Sequence, residues 1–106
     1  MQSLIVISIY DIKSGTYSKP MYALNMPVAQ RMFVEACADP DTYLRKSPED
    51  YTLYQLGTFD DSSGELKSDK KSIMTAEQAI YLVNEKEVNS TLVQNSLKPR
   101  FPDAKE

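Results

Sequence analysis

The chain has 106 residues, 42% hydrophobic and 25% charged, which is the composition of one small globular domain just long enough to bury a core unaided. Histidine is absent and Cys37 is the only cysteine, so an internal disulfide, the usual zinc sites and imidazole-dependent nucleophile pairs are all excluded. The net charge of −3 argues against a protein that coats nucleic acid by charge alone, because phosphate neutralisation normally needs a basic face.

Residues 3 to 12 (SLIVISIYDI) are β-branched and apolar on both alternating faces, which predicts a central strand covered on both sides. "KSGT", from Lys13 to Thr16, is a turn signal. "YSKPMYALN", from Tyr17 to Asn25, then returns as a second strand. Pro20 cannot donate to a ladder, so this strand belongs at an edge or carries a bulge. Pro27 suits the first position of a helix, and Val28, Ala29, Met32, Phe33, Ala36 and Cys37 follow on one helical face. "ADPD", from Ala38 to Asp41, ends it, because the residue before Pro40 is pushed out of the helical region. Cys37 falls on the buried stripe and reads as a packed thiol.

A polar loop leads to Pro48, just ahead of a third strand. In it Tyr51, Leu53, Gln55, Gly57 and Phe59 alternate with Thr52, Tyr54, Leu56 and Thr58. "DDSSG", from Asp60 to Gly64, makes a hairpin loop with Gly64 at its left-handed closing position. The loop lacks the third ligand and the closing glutamate of a calcium loop, so no metal is expected. Glu65 to Ser72 forms a polar, lysine-rich fourth strand, as a protected edge should be. Thr75 with Gln78 spells a capping box for a second helix whose inner face is Ala76, Ala79, Ile80 and Val83. The pattern fades from about Asn84. The expected fold is therefore α+β, in the order ββαββα: a four-stranded antiparallel sheet with two packed helices. Residues 1–83 form one domain and residues 84–106 a helix extension and mobile tail.

Two features point beyond the fold. Seven tyrosines and no tryptophan occur in the chain, and Tyr10, Tyr17, Tyr22, Tyr51 and Tyr54 fall on or beside predicted strands. Aromatics on a sheet face stack bases in platforms that bind single strands, although half-buried strands favour tyrosine in any case. Lys67, Lys70 and Lys71 cluster on the fourth strand, either as phosphate contacts or as gatekeepers against edge pairing. The candidate nucleic-acid-binding set is Lys13, Tyr17, Lys19, Tyr22, Tyr54, Lys67, Lys70 and Lys71. Within it Lys13, Tyr17 and Lys19 are expected on one side of the first hairpin. No catalytic residue, metal or cofactor is expected, and the chain reads as a non-enzyme.

Three stretches carry a resemblance: "IYDIKSGTYSKP" (Ile9 to Pro20), "VAQRMFVEACAD" (Val28 to Asp39) and "DPDTYLRKSPEDYTLYQLGTFDDSSGEL" (Asp39 to Leu66). Over roughly residues 4–83 the chain resembles the small nonstructural protein of gokushoviruses, a branch of the microviruses, which are single-stranded DNA phages. The resemblance implies a protein of the host bacterial cytoplasm, absent from the mature virion and tied to genome replication. It also implies binding of single-stranded DNA, by analogy with the coliphage protein that turns duplex synthesis toward single-strand synthesis and packaging. A different reading is an adaptor that holds the replication initiator or a capsid precursor without touching DNA. Two short helices can cover only one face of a sheet that is apolar on both, so a homodimer or larger homo-oligomer is expected. No apolar run approaches the ~20 residues of a membrane span, and no membrane partner is expected.

Overall fold

The computed structural model describes residues 3–85. The strands are β1 (Ser3–Asp11), β2 (Thr16–Tyr17), β3 (Met21–Ala23), β4 (Tyr51–Asp60) and β5 (Leu66–Thr75). Helix α1 (Met26–Ala38) and the one-turn α2 (Tyr43–Lys46) lie between β3 and β4. A 3₁₀ turn at Pro48–Asp50 leads into β4, and a third helix, α3, runs from residue 76 to 85. The sheet is antiparallel in the order β2-β1-β4-β5, with β3 also pairing β1. The α+β fold is thus as expected. The expected tail lies, from residue 86 onward, outside the described residues.

β1 is central because it is apolar on both faces, and it pairs β4 along its whole length. The other side of β1 is shared by β2 and β3, so the expected second strand is one edge strand in two pieces. The break falls at Ser18 to Pro20, where proline offers no donor. Ser18 repairs the gap: its Oγ accepts from the Ile9 backbone N–H at 2.9 Å, and its own N–H donates to the Ile9 carbonyl at 2.8 Å. The Ser8 hydroxyl donates to the Ser18 carbonyl at 2.7 Å. A fully buried hydroxyl is thereby satisfied.

The core lies between the sheet and two helices. Ala29, Phe33 and Cys37, four residues apart on α1, meet Ile7 and Leu53 of the sheet and Ala76 and Ala79 of α3 in one buried cluster. Asn25 caps α1, its side chain accepting from the Val28 N–H at 3.0 Å, so Pro27 sits one place later than expected. The Thr75–Gln78 box closes reciprocally: the Thr75 N–H donates to Gln78 Oε1 at 2.9 Å and the Gln78 N–H to Thr75 Oγ1 at 3.1 Å.

Cys37 is fully buried, and desolvation pushes its thiol from 9.0 to about 11. Tyr51 is also raised, first by desolvation and then by Asp11 and Asp50. Both folded-state values lie above the unfolded ones. The Cys37 contribution to stability is therefore complete below about pH 9 and is lost as pH rises through about 11, and Tyr51 acts in the same direction. Denaturant midpoints should be flat from neutral pH to about pH 9 and fall above it. A thiol reagent should label Cys37 only at the rate of unfolding. Labelling as fast as that of an exposed thiol would show that α1 does not seal the core.

Strict alternation fails in β4. Val6 pairs Gly57 while Ile7 pairs Gln55, so Leu56 is an extra residue in a bulge. Beyond it Gly57 and Phe59 share a face with Val6 and Leu4, opposite to the face that holds Leu53 and Gln55. The expectation that Gly57 and Phe59 continue the Tyr51–Leu53–Gln55 face is corrected accordingly. β5 has its own irregularity, Gln55 pairing Lys71 and Gly57 pairing Ser68. There the buried Gln55 donates Nε2 to the Asp69 carbonyl at 3.2 Å and to Asp69 Oδ2 at 3.1 Å.

Candidate nucleic-acid interface

With α1 and α3 on one face, the other face of the sheet has no helix among the described residues. Register assigns it Leu4, Val6, Ser8 and Tyr10 from β1, and Thr52, Tyr54, Gly57 and Phe59 from β4. The edge pieces add Tyr17 and Tyr22. β5 adds Leu66, Ser68 and Ser72.

Three tyrosines converge there. Tyr17 pairs Tyr10 across β1–β2, and Ser8, small and next on the same face, pairs Tyr54. The small serine leaves room above β1 for the rings to approach. The ring centroids of Tyr10 and Tyr17 are 4.7 Å apart, those of Tyr17 and Tyr54 5.5 Å, and those of Tyr10 and Tyr54 6.1 Å. The tilted and edge-on geometries are those that aromatic quadrupoles favour. Lys70 reaches in from β5, its Nζ 4.7 Å from the Tyr17 centroid and 5.9 Å from that of Tyr54. The neighbouring Tyr17 hydroxyl holds the Lys70 ammonium above the usual lysine value, so it is fully charged at neutral pH.

Carboxylates are absent from this face by register, among the described residues. Asp11 pairs Tyr51, and Asp60 pairs Ser3, both with the helix-side alternation. Asp69 turns to the buried Gln55. Asp60 Oδ1 is engaged in its own turn, accepting from the Ser62 N–H at 2.9 Å, and that backbone bond is the main reason its carboxyl lies below the usual range. The carboxylates of the described strands therefore lie off this face, and the charge that a ligand meets at the tyrosine cluster is that of Lys70.

Of the candidate residues, Tyr17, Tyr54 and Lys70 come together. Tyr22 is on the same face but stands apart, against Phe59 at 5.7 Å between centroids. Lys71 pairs Gln55 on the opposite face and approaches Asp69 Oδ2 at 3.7 Å. Lys67 pairs Thr58 and borders a cleft beside Leu66. Lys13 is in the first turn, its N–H donating to Asp11 Oδ1 at 2.9 Å. Lys19 lies in the break between β2 and β3, where the strand alternation used to group it with Tyr17 does not run. Tyr10 and Phe59, which are outside the candidate set, lie on the same face. Tyr10 was marked by its strand position, whereas Phe59 was hidden by the bulge.

A family model described as Phage ORF5 protein matches residues 4–79. The chain belongs to the Phage ORF5 protein family. The matched span takes in every strand apart from Ser3 of β1, and both α1 and α2, so the strand residues of the open face all lie within it. No curated protein and no solved structure matches the chain. Among the described residues no helix is long and apolar enough to cross a membrane, and no group of three or more metal-binding side chains occurs.

Proposed function

We propose that this member of the Phage ORF5 family is a nonstructural, non-enzymatic protein of a gokushovirus-type phage that binds single-stranded DNA through its open sheet face. It acts in the host cytoplasm during genome replication and the switch to single-strand synthesis and packaging, and is not carried in the virion. The observation that carries this reading is the Tyr10–Tyr17–Tyr54 cluster with Lys70 on a face without carboxylates. Tyr17 is exposed and Tyr10 and Tyr54 are half-buried beside it, so the cluster offers ring surface for stacking to unpaired bases, and the ammonium offers a partner to phosphate. Duplex DNA hides its base faces, so single strands are the better ligand for such a platform. The protein works as a homodimer or larger homo-oligomer, which joins two weak faces into one avid surface.

Fluorescence anisotropy with a labelled single-stranded oligonucleotide across a salt series tests the reading. Binding should be strongest at low salt and weaken steadily as salt rises, and absence of binding even at low salt would overturn the proposal. Lys70→Ala should lower the salt slope by a fraction of a unit up to about one. An unchanged slope would remove Lys70 from phosphate contact. Light scattering should report a mass at least twice the single-chain 12.0 kDa, and the single-chain mass at micromolar concentration would contradict the assembly.

The adaptor reading has one observation in its favour. Tyr22 and Leu66 are 52% and 66% exposed on the same face, which is the kind of apolar surface that protein partners cover. Loss of DNA binding together with retained capture of a phage replication or capsid protein would select it.

A further inference from the structure

The open face has a second aromatic station. Tyr22 and Phe59 pack at 5.7 Å between centroids, with Tyr22 opposite Val6. Tyr17 of the first cluster is opposite Tyr10. Four residues of β1 separate the two stations, or about 13 Å at the rise of a strand. Beside the second station a cleft of about 310 Å³ opens between Val6, Pro20, Leu56, Gly57 and Leu66, with Lys67 at its rim. Its floor is apolar, and register brings no carboxylate to it.

Resting on the proposed function, we infer that a single DNA strand runs along β1 over both stations, with one base on the Tyr10–Tyr17–Tyr54 cluster and another held by Tyr22, Phe59 and the cleft. Charge complementarity selects this occupant at the first station, where the Lys70 ammonium lies over the Tyr17 ring, while the second station contributes apolar stacking surface without a carboxylate. Stacked bases on one strand are about 3.4 Å apart, so neighbouring stacked bases cannot reach both stations. The bound strand is splayed, and its footprint is about four nucleotides, at the low end for sheet-based platforms. The leucine bulge is what supplies the second station, because it carries Phe59 and Gly57 over to the open face.

Ligand length separates this inference from the reading beneath it. Binding of a thymidine dinucleotide and of an oligothymidylate of about eight nucleotides should be compared in the full chain, with Phe59→Ala and Leu66→Glu as variants. Phe59→Ala should weaken the longer ligand by about 5- to 150-fold and leave the dinucleotide unchanged. Leu66 is 66% exposed, so Leu66→Glu preserves the fold while placing a carboxylate beside the cleft, and it should reproduce the same selective loss. If the longer ligand binds wild type and Leu66→Glu equally, the second station is wrong and the first can still stand. If neither ligand binds wild type at low salt, the single-strand reading itself fails and takes this inference with it.

Discussion

Tyr17→Ala is expected to weaken single-strand binding by about 5- to 150-fold, the range for loss of one stacked base. Tyr17 is the hinge of the first station: its ring lies 4.7 Å from Tyr10, 5.5 Å from Tyr54 and 4.7 Å from the Lys70 ammonium. It is also 37% exposed, so a ligand can reach it. Its removal takes away a stacking surface and leaves Lys70 without the ring over which it lies. Tyr17→Phe retains the ring and should bind almost as well as wild type. The competing outcome is a purely structural ring. In that case Tyr17→Ala lowers the melting temperature while affinity per folded molecule is undiminished, and Tyr17 leaves the site.

Gly57→Ala should destabilise the fold by about 3 kcal/mol, a large share of the ~5–15 kcal/mol that holds a small domain together. A Cβ built on Gly57 collides with the backbone carbonyl of Lys67 on β5, and a backbone group held in the sheet cannot swing away. The cost is steric, and the β4–β5 pairing must open to relieve it. Gly64→Ala supplies the contrast. Gly64 closes the hairpin at φ +77°, but nothing lies within 4 Å of a Cβ there, so only the left-handed backbone penalty of ~1–2 kcal/mol applies. Chemical denaturation of both variants checks the order. A Gly57→Ala protein as stable as Gly64→Ala would mean that β4 and β5 are not so closely joined.

Much of the scaffold was legible because local chemistry and tertiary need agree. The two-sided apolarity of Leu4 to Ile9 marks the strand that pairs on both edges, and Pro20 marks the break in its neighbour. Thr75 and Gln78 mark the start of α3. The small helix at Tyr43–Lys46 was missed, although Thr42 caps it by accepting from the Arg45 N–H at 3.3 Å. Four residues carry too little periodicity to announce a helix.

The site was legible only as an inventory of tyrosines and lysines. Which of them meet depends on irregularities that strict alternation does not encode. The bulge at Leu56 moves Phe59 to the open face. The irregularity in β5, held by Gln55 and Asp69, sends Lys70 toward the tyrosines and Lys71 away from them. Small residues with no side-chain chemistry of their own complete the arrangement. Ser8 is short enough for rings to close over β1, and Gly57 has no Cβ to hold β5 off.

The central claim is that one face of the sheet, and not the helical side, receives the strand. Titration of the isotope-labelled protein with a single-stranded oligonucleotide, followed by backbone amide shifts, tests it most directly. The largest changes are expected at Tyr10, Tyr17, Tyr54 and Lys70, extending to Tyr22 and Phe59 with longer ligands, while Ala29, Phe33 and Ala79 stay still. Changes concentrated on α1 and α3, with the three tyrosines unmoved at saturation, would contradict it.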